Sequence, residues 1–225
     1  MVRKTQEDAL ETRGRILDAA LIRFEEQGVS RTTLADIARQ AGVTRGAIYW
    51  HFKDKVDLFA AMIERLVCPL LFRSADYEAL MAENPLEFIR ACVREFIEKL
   101  AHDQNFFRLF EILWHKCEYV GDIAALRRKY LEEEGENHIG VLQRAFTLAR
   151  EQGQIAASLS PRQAAIGLAA LVDGLIFNWT KNRNLFSMLE DAPLMTEVFF
   201  RGLGARPETE KGRVRKEKGK VAAHA

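Results

Sequence analysis

Between Thr44 and Phe52 the chain reads TRGAIYWHF, a run that concentrates a guanidinium, two hydroxyls, an indole N–H and an imidazole. On a helix only Ile48 and Phe52, four residues apart, can turn inward together. Arg45, Gly46, Tyr49, Trp50 and His51 are left facing out. Hydrogen-bond donors interleaved with aromatics and two small residues suit a polar partner that comes close to the backbone. A nucleic-acid duplex is such a partner. In a helix-turn-helix, the start of the second helix meets base edges while neighbouring groups hold phosphates. Arg45 is placed for base contact, and Gly46 and Ala47 let the helix sit deep. Thr33, Thr44, Tyr49, Trp50, His51 and Lys55 suit the phosphate backbone. Asp54 is the expected cap of the next helix, whose positive end adds to phosphate attraction.

The elements that position these groups are short. Leu34, Ile37 and Ala38 repeat at helical spacing, so a helix is expected over 34–41, capped by Thr33 with Asp36 three residues on. Gly42 supplies the freedom needed just past a helix end, and Thr44 caps the second helix, roughly 45–52. An earlier helix, about 10–27, buries Ile16, Leu17, Ala20, Leu21 and Phe24, ends at Gly28 and completes a three-helix head. Ordinary core helices also meet at such turns; what distinguishes this one is the identity of its outward residues.

Charge follows the same division. The whole chain carries only +1, but residues 1–55 hold ten Lys and Arg against eight Asp and Glu. Residues 56–205 hold 16 against 21, and residues 206–225 seven against three. An acidic body with a basic head confines phosphate contact to one end.

Other chemistries find little support. No Gly-rich phosphate loop, serine elbow or metal-ligand spacing occurs, so neither an enzyme nor a bound cofactor is expected. Cys68, Cys92 and Cys117 have no paired spacing, and the last two fall on apolar stripes as small hydrophobes. His115 and Cys117, two apart on a helix, diverge. With no continuous apolar run of membrane length and no signal-like N-terminus, the expected location is the cytoplasm, without membrane contact.

Every strong periodic segment after Lys55 is helical, giving an all-α expectation. A helix from Val56 leads out of the head towards Pro69, which should kink or end it. The next runs over 85–103 with Phe88, Ile89, Cys92, Val93, Phe96, Ile97 and Leu100 on one face. An aromatic helix spans 105–118, and a long one spans 123–152, with a bend or fraying expected near Gly135. Ser160, Pro161 and Gln163 open another through Trp179, and a last helix covers 192–203. Gly167, Ala169, Ala170 and Gly174 invite close helix packing. The expected division is a head (1–55), a ligand-binding and dimerisation domain (56–205) and a disordered basic tail (206–225).

The segment TTLADIARQAGVTRGAIYWHFKDKVDLF (Thr32–Phe59), with ETRGRILDAALIRFEEQGVSRTT before it, resembles the TetR family of transcriptional regulators. EILWHKCEY (Glu111–Tyr119) and LVDGLIFNW (Leu171–Trp179) are similar to its multidrug-efflux repressor branch, the AcrR-like and TtgR-like repressors. The resemblance implies a homodimer joined through its last two helices as a four-helix bundle, bound to a palindromic double-stranded operator. It also implies a pocket for a small hydrophobic or aromatic effector, with Phe96, Phe110, Leu113, Trp114, Cys117, Glu118, Val172, Asp173, Ile176 and Phe177 as candidate lining. Asp173 and Glu118 would be buried carboxylates in need of partners. A bound effector would push on the helix beginning at Val56 and misalign the heads. If the side chains fill the pocket themselves, the alternative is a DNA-bound regulator or architectural protein without small-molecule input.

Overall fold

A computed structural model of the chain describes residues 2–67, 75–117 and 121–204. Among them the secondary structure is helical, as expected. Cys68, Pro69, Glu118 and the basic segment 206–225, each singled out in the sequence, lie outside the described residues.

The head is built from α1 (Val2–Gln27), α2 (Leu34–Ala41) and α3 (Arg45–His51), with α4 (Lys55–Val67) leading away from it. Helix α1 begins well before the expected Leu10, which is itself exposed. Its buried side is the one read from the sequence: Ile16, Leu17, Ala20, Leu21 and Phe24 are all inside. Gly28 ends it at φ +79, in the left-handed region open to glycine. The Thr32 hydroxyl, fully enclosed, donates to the carbonyls of Arg23 and Gly28 at 3.1 and 2.8 Å. Phe24 meets Phe59 of α4 edge to face at 5.6 Å, fixing the root of α4 against the head.

The body starts with α5 (Ala75–Glu83), which the sequence pattern does not announce, and continues with α6 (Pro85–His102). Asn84 caps α6, with Pro85 in its first turn, where a missing N–H costs nothing. Asp103 stops α6 and caps α7 (Gln104–Glu111), accepting from the amides of Asn105 and Phe106. The aromatic helix expected over 105–118 is therefore two elements: α7 gives way to a π-helical turn, Ile112–Lys116.

Helix α8 (Gly121–Glu151) is continuous through Gly135, where fraying was expected. It packs on α9 (Pro161–Lys181), which Ser160 caps through the amide of Gln163, and α10 (Asp191–Gly202) closes the body. By length and composition α9 could cross a membrane. Its inner face instead buries Ala164, Ala165, Leu168, Leu175, Ile176 and Trp179 against the rest of the body. Close packing explains part of its small-residue content: a Cβ on Gly167 would stand 3.2 Å from the Phe199 ring of α10.

Candidate nucleic-acid interface and effector region

Local chemistry builds the outward face of the head in a definite order. Thr33 and Asp36 form a reciprocal capping box at the start of α2: the Asp36 amide donates to the Thr33 hydroxyl oxygen, and the Thr33 amide donates to the Asp36 carboxylate. The Thr33 hydroxyl, donating to the same carboxylate at 2.6 Å, and the Thr33 amide hold the Asp36 carboxyl below its ordinary pKa. At the other end, Gly42 takes φ +66, and Arg15 of α1 donates to the terminal carbonyl of Ala41 at 2.7 Å. The corner is thus pinned from both sides. Thr44 then caps α3 by accepting from the amide of Ala47.

Helix α3 sinks Ile48 completely and leaves Arg45, Gly46, Tyr49 and Trp50 exposed. Trp50 is 74% exposed and Tyr49 49%, large values for side chains of this size. The Arg45 guanidinium lies over the Tyr49 ring at 5.6 Å and donates to its hydroxyl at 3.2 Å. These two exposed residues orient each other. His51 packs edge to face on Trp50 at 4.6 Å; partial burial, with Arg13 nearby, lowers its pKa. A Cβ added to Gly46 would meet nothing closer than the Thr44 hydroxyl at 3.8 Å. No neighbour among the described residues therefore requires glycine there.

Lys55 is placed differently from the phosphate contact expected of it. Its ammonium donates to three backbone carbonyls, those of Val29, Ser30 and Thr32, at 2.8, 3.0 and 3.0 Å. An ammonium has three protons, and all three are engaged. Lys55 ties the start of α4 to the α1–α2 loop. The cap expected of Asp54 is in place, accepting from the amide of Asp57 at 2.9 Å.

In the body, the candidate effector residues separate into groups. Phe96 and Phe110 converge with Phe106 in a three-ring cluster, at centroid separations of 4.9 to 5.4 Å. Trp114 meets Phe177 at 5.9 Å, edge to face. Ile176 is buried, while Leu113 and Val172 are half-buried against the core. Asp173 lies on the outer stripe of α9 with Ile166, Ala170 and Phe177, exposed at its surface although surrounding atoms desolvate its carboxyl and raise its pKa. The seven-residue spacing from Ile166 keeps it on that stripe, on the face opposite Leu175. Cys117 is buried, but at the junction of head and body, where it lines a cleft of about 150 Å³ with Glu26, Gln27, Gly28 and Arg31. Cys92 is also buried, which pushes its thiol up to about 12 and makes it unreactive.

Two groups escaped the sequence reading. Thr180, near the end of α9, is hydrogen-bonded to His115 Nε2 across the body at 2.9 Å, and Arg183 lies over the Phe107 and Trp179 rings at 3.9 and 4.7 Å. His115 and Phe107 are both remote in sequence from the groups they meet.

Described residues that are all helical, with a capped helix-turn-helix at one end and a larger aromatic-rich bundle at the other, define a class: helix-turn-helix transcriptional regulators. The profile of bacterial regulatory proteins of the tetR family matches residues 16–62, and that of the C-terminal region of MAATS-type transcriptional repressors matches residues 84–204. The chain belongs to the TetR family. It is 38% identical to the HTH-type transcriptional regulator AcrR of Shigella flexneri over 192 residues, covering 85% of this chain and 89% of that one. Among solved structures it resembles NalD, the secondary repressor of the MexAB-OprM multidrug efflux pump in Pseudomonas aeruginosa. That likeness has a TM-score of 0.78 and 32% identity, and covers 89% of this chain and 98% of NalD. It also resembles SmeT in complex with triclosan, with a TM-score of 0.75 and 29% identity over 85% of this chain and 91% of that one. The family and these relatives are regulators, not enzymes.

Proposed function

We propose that this chain is a cytoplasmic, homodimeric repressor that holds a palindromic operator and releases it on binding a small hydrophobic or aromatic compound, controlling a multidrug efflux operon. The observation that carries the reading is the face of α3, which exposes Arg45, Tyr49 and Trp50 while its only fully buried side chain is Ile48. Arg45 reads a base edge, with Gly46 and Ala47 allowing depth. Thr33, Thr44, Tyr49, Trp50 and His51 contact the backbone, and Lys55 supports them from behind. Such a head reads too few base pairs to be selective alone; two related by a two-fold axis read two half-sites about one turn apart.

The second copy has a surface to bind. Ile166 and Phe177 of α9, with Leu194, Met195 and Val198 of α10, are large apolar residues exposed on adjacent helices, Leu194 at 68% and Val198 at 71%. Water contact with such a stripe is relieved by an identical stripe. Effector release follows if the compound favours one head spacing over the other. About 5.5 kcal/mol of differential affinity carries a population from 1:99 to 99:1. The triclosan held by SmeT makes that compound a rational first probe.

The decisive experiment selects genomic fragments on the purified protein, then titrates the best fragment with and without triclosan while sedimentation reports the mass. A dimer that retains a palindrome and is released by triclosan or another aromatic compound supports the reading. A monomer that retains no duplex at low ionic strength refutes it. One observation favours a second reading: Phe96, Phe106 and Phe110 pack on one another. A core filled by its own rings would belong to a DNA-bound regulator without effector, and a panel of aromatic compounds that leaves both melting and operator binding unchanged would establish it.

A further inference from the structure

The π-helical turn Ile112–Lys116 touches both halves of the molecule. On the body side, the Thr180 hydroxyl donates to the Ile176 carbonyl at 2.7 Å, and its oxygen is hydrogen-bonded to His115 Nε2 at 2.9 Å. The His115 ring also lies 5.0 Å from Phe177, and the adjacent Trp114 packs on the same ring. On the head side, the very next residue presents its carbonyl to the α1–α2 loop. The Val29 amide donates to Lys116 O at 3.2 Å, and a Cβ on Gly28 would stand 3.3 Å from that oxygen. The salt bridge from Arg108 of α7 to Glu25 of α1, at 2.7 Å, braces the same seam.

The loop held in this way is short, and it controls the reading head. It carries the three carbonyls that grip Lys55 of α4, and it ends at Thr33, the cap of α2. From Thr180 to Thr33 the connection therefore runs through two hydrogen bonds and one turn of backbone, without passing along α4. π-Helical turns hold one residue more than an α-helical ladder accommodates and recur at functional positions.

We infer that this turn is a strut that transmits the position of α9 directly to the α1–α2 loop and so to the start of the helix-turn-helix. His115 is its positioning residue: it touches no duplex, and acts through the Lys116 carbonyl on Val29. A movement of Phe177 or Thr180, whether from a compound among the body aromatics or from a second copy on the outer stripe of α9, arrives at the head by this route as well as through α4. The role assigned to the head rests on the proposed operator binding; the mechanical coupling does not.

The test uses the full chain without DNA. Thr180→Val, His115→Phe and the double variant are compared with the wild type and with Thr180→Ser, which retains the hydroxyl. Hydrogen exchange is followed at the Val29 amide and, as a control within the head, at the Phe52 amide, which bonds to Ile48. Each single variant should accelerate exchange at Val29 about tenfold with Phe52 unchanged. The double variant should add nothing further, because one bond is lost in all three, and Thr180→Ser should match the wild type. Either folded single variant suffices. Unchanged exchange at Val29, or equal acceleration at Val29 and Phe52, overturns the strut. Operator titration of the same variants is a separate arm, so a failure of the DNA reading leaves the exchange result intact.

Discussion

Gly46 isolates what the partner demands from what the fold demands. Its position is helical, and the space around a Cβ there is open among the described residues. Gly46→Ala should therefore raise stability by up to about 1 kcal/mol, the ordinary gain of alanine over glycine in a helix. The same methyl would stand on the face proposed to enter the groove and should weaken operator binding. Thermal melting and operator titration of one variant read the two effects with opposite signs. A variant that melts higher and binds as tightly as the wild type would mean that α3 does not approach DNA at this residue. Arg45 and Tyr49 carry a related lesson. The separate contacts proposed for them, base edge and phosphate, are read from residue type; their mutual bond at 3.2 Å is a property of three-dimensional placement that the four-residue spacing permits without requiring.

Among the elements, those whose ends are marked by side chains were readable: Thr33 with Asp36, Thr44, Asp54 and Ser160 each cap the helix they precede. Helix α5 was not, because its apolar residues form no clear stripe. The π-helical turn was not either, since its extra residue leaves the aromatic spacing of Phe106, Phe107, Phe110 and Trp114 looking continuous. Lys55 shows why a charged side chain next to a DNA-reading helix can mislead. Its charge was legible, but its three carbonyl partners lie 23 to 26 residues earlier in the chain. Lys55→Ala should consequently cost about 2 kcal/mol of stability, as expected for losing bonds to a charged donor. It should leave the dependence of operator affinity on salt unchanged, because no phosphate contact is removed. A drop of about one unit in the salt slope, with normal melting, would return Lys55 to the phosphate contacts.

For the molecule as a whole, association and protonation are the measurable properties. Val198→Glu places a charge on a residue 71% exposed in the single chain, so the protomer should fold normally. In a dimer joined through α9 and α10 it buries like charges across the two-fold axis; sedimentation should show monomer, and operator binding should fall with it. A stable Val198→Glu dimer would move the interface elsewhere. His51 and His115 both have lowered pKa values, principally through burial, so the folded chain favours their neutral forms while the unfolded chain takes up protons near 6.5. Their contribution is complete above about pH 6.5 and is lost as pH falls through the lower folded values. Melting temperature should thus decline from about pH 7.5 to about pH 5.5, and less steeply in His115→Phe; a flat profile would show that neither imidazole is held neutral. The three tryptophans, finally, occupy unlike surroundings: Trp50 projects into solvent from α3, Trp114 stands half-covered beside Phe177, and Trp179 lies buried under Arg183. Their emission should differ in colour accordingly, with Trp50 the reddest and the most readily quenched by iodide. Intrinsic fluorescence therefore provides a label-free optical readout in which duplex capture dims the red edge and a compound entering the body perturbs the blue.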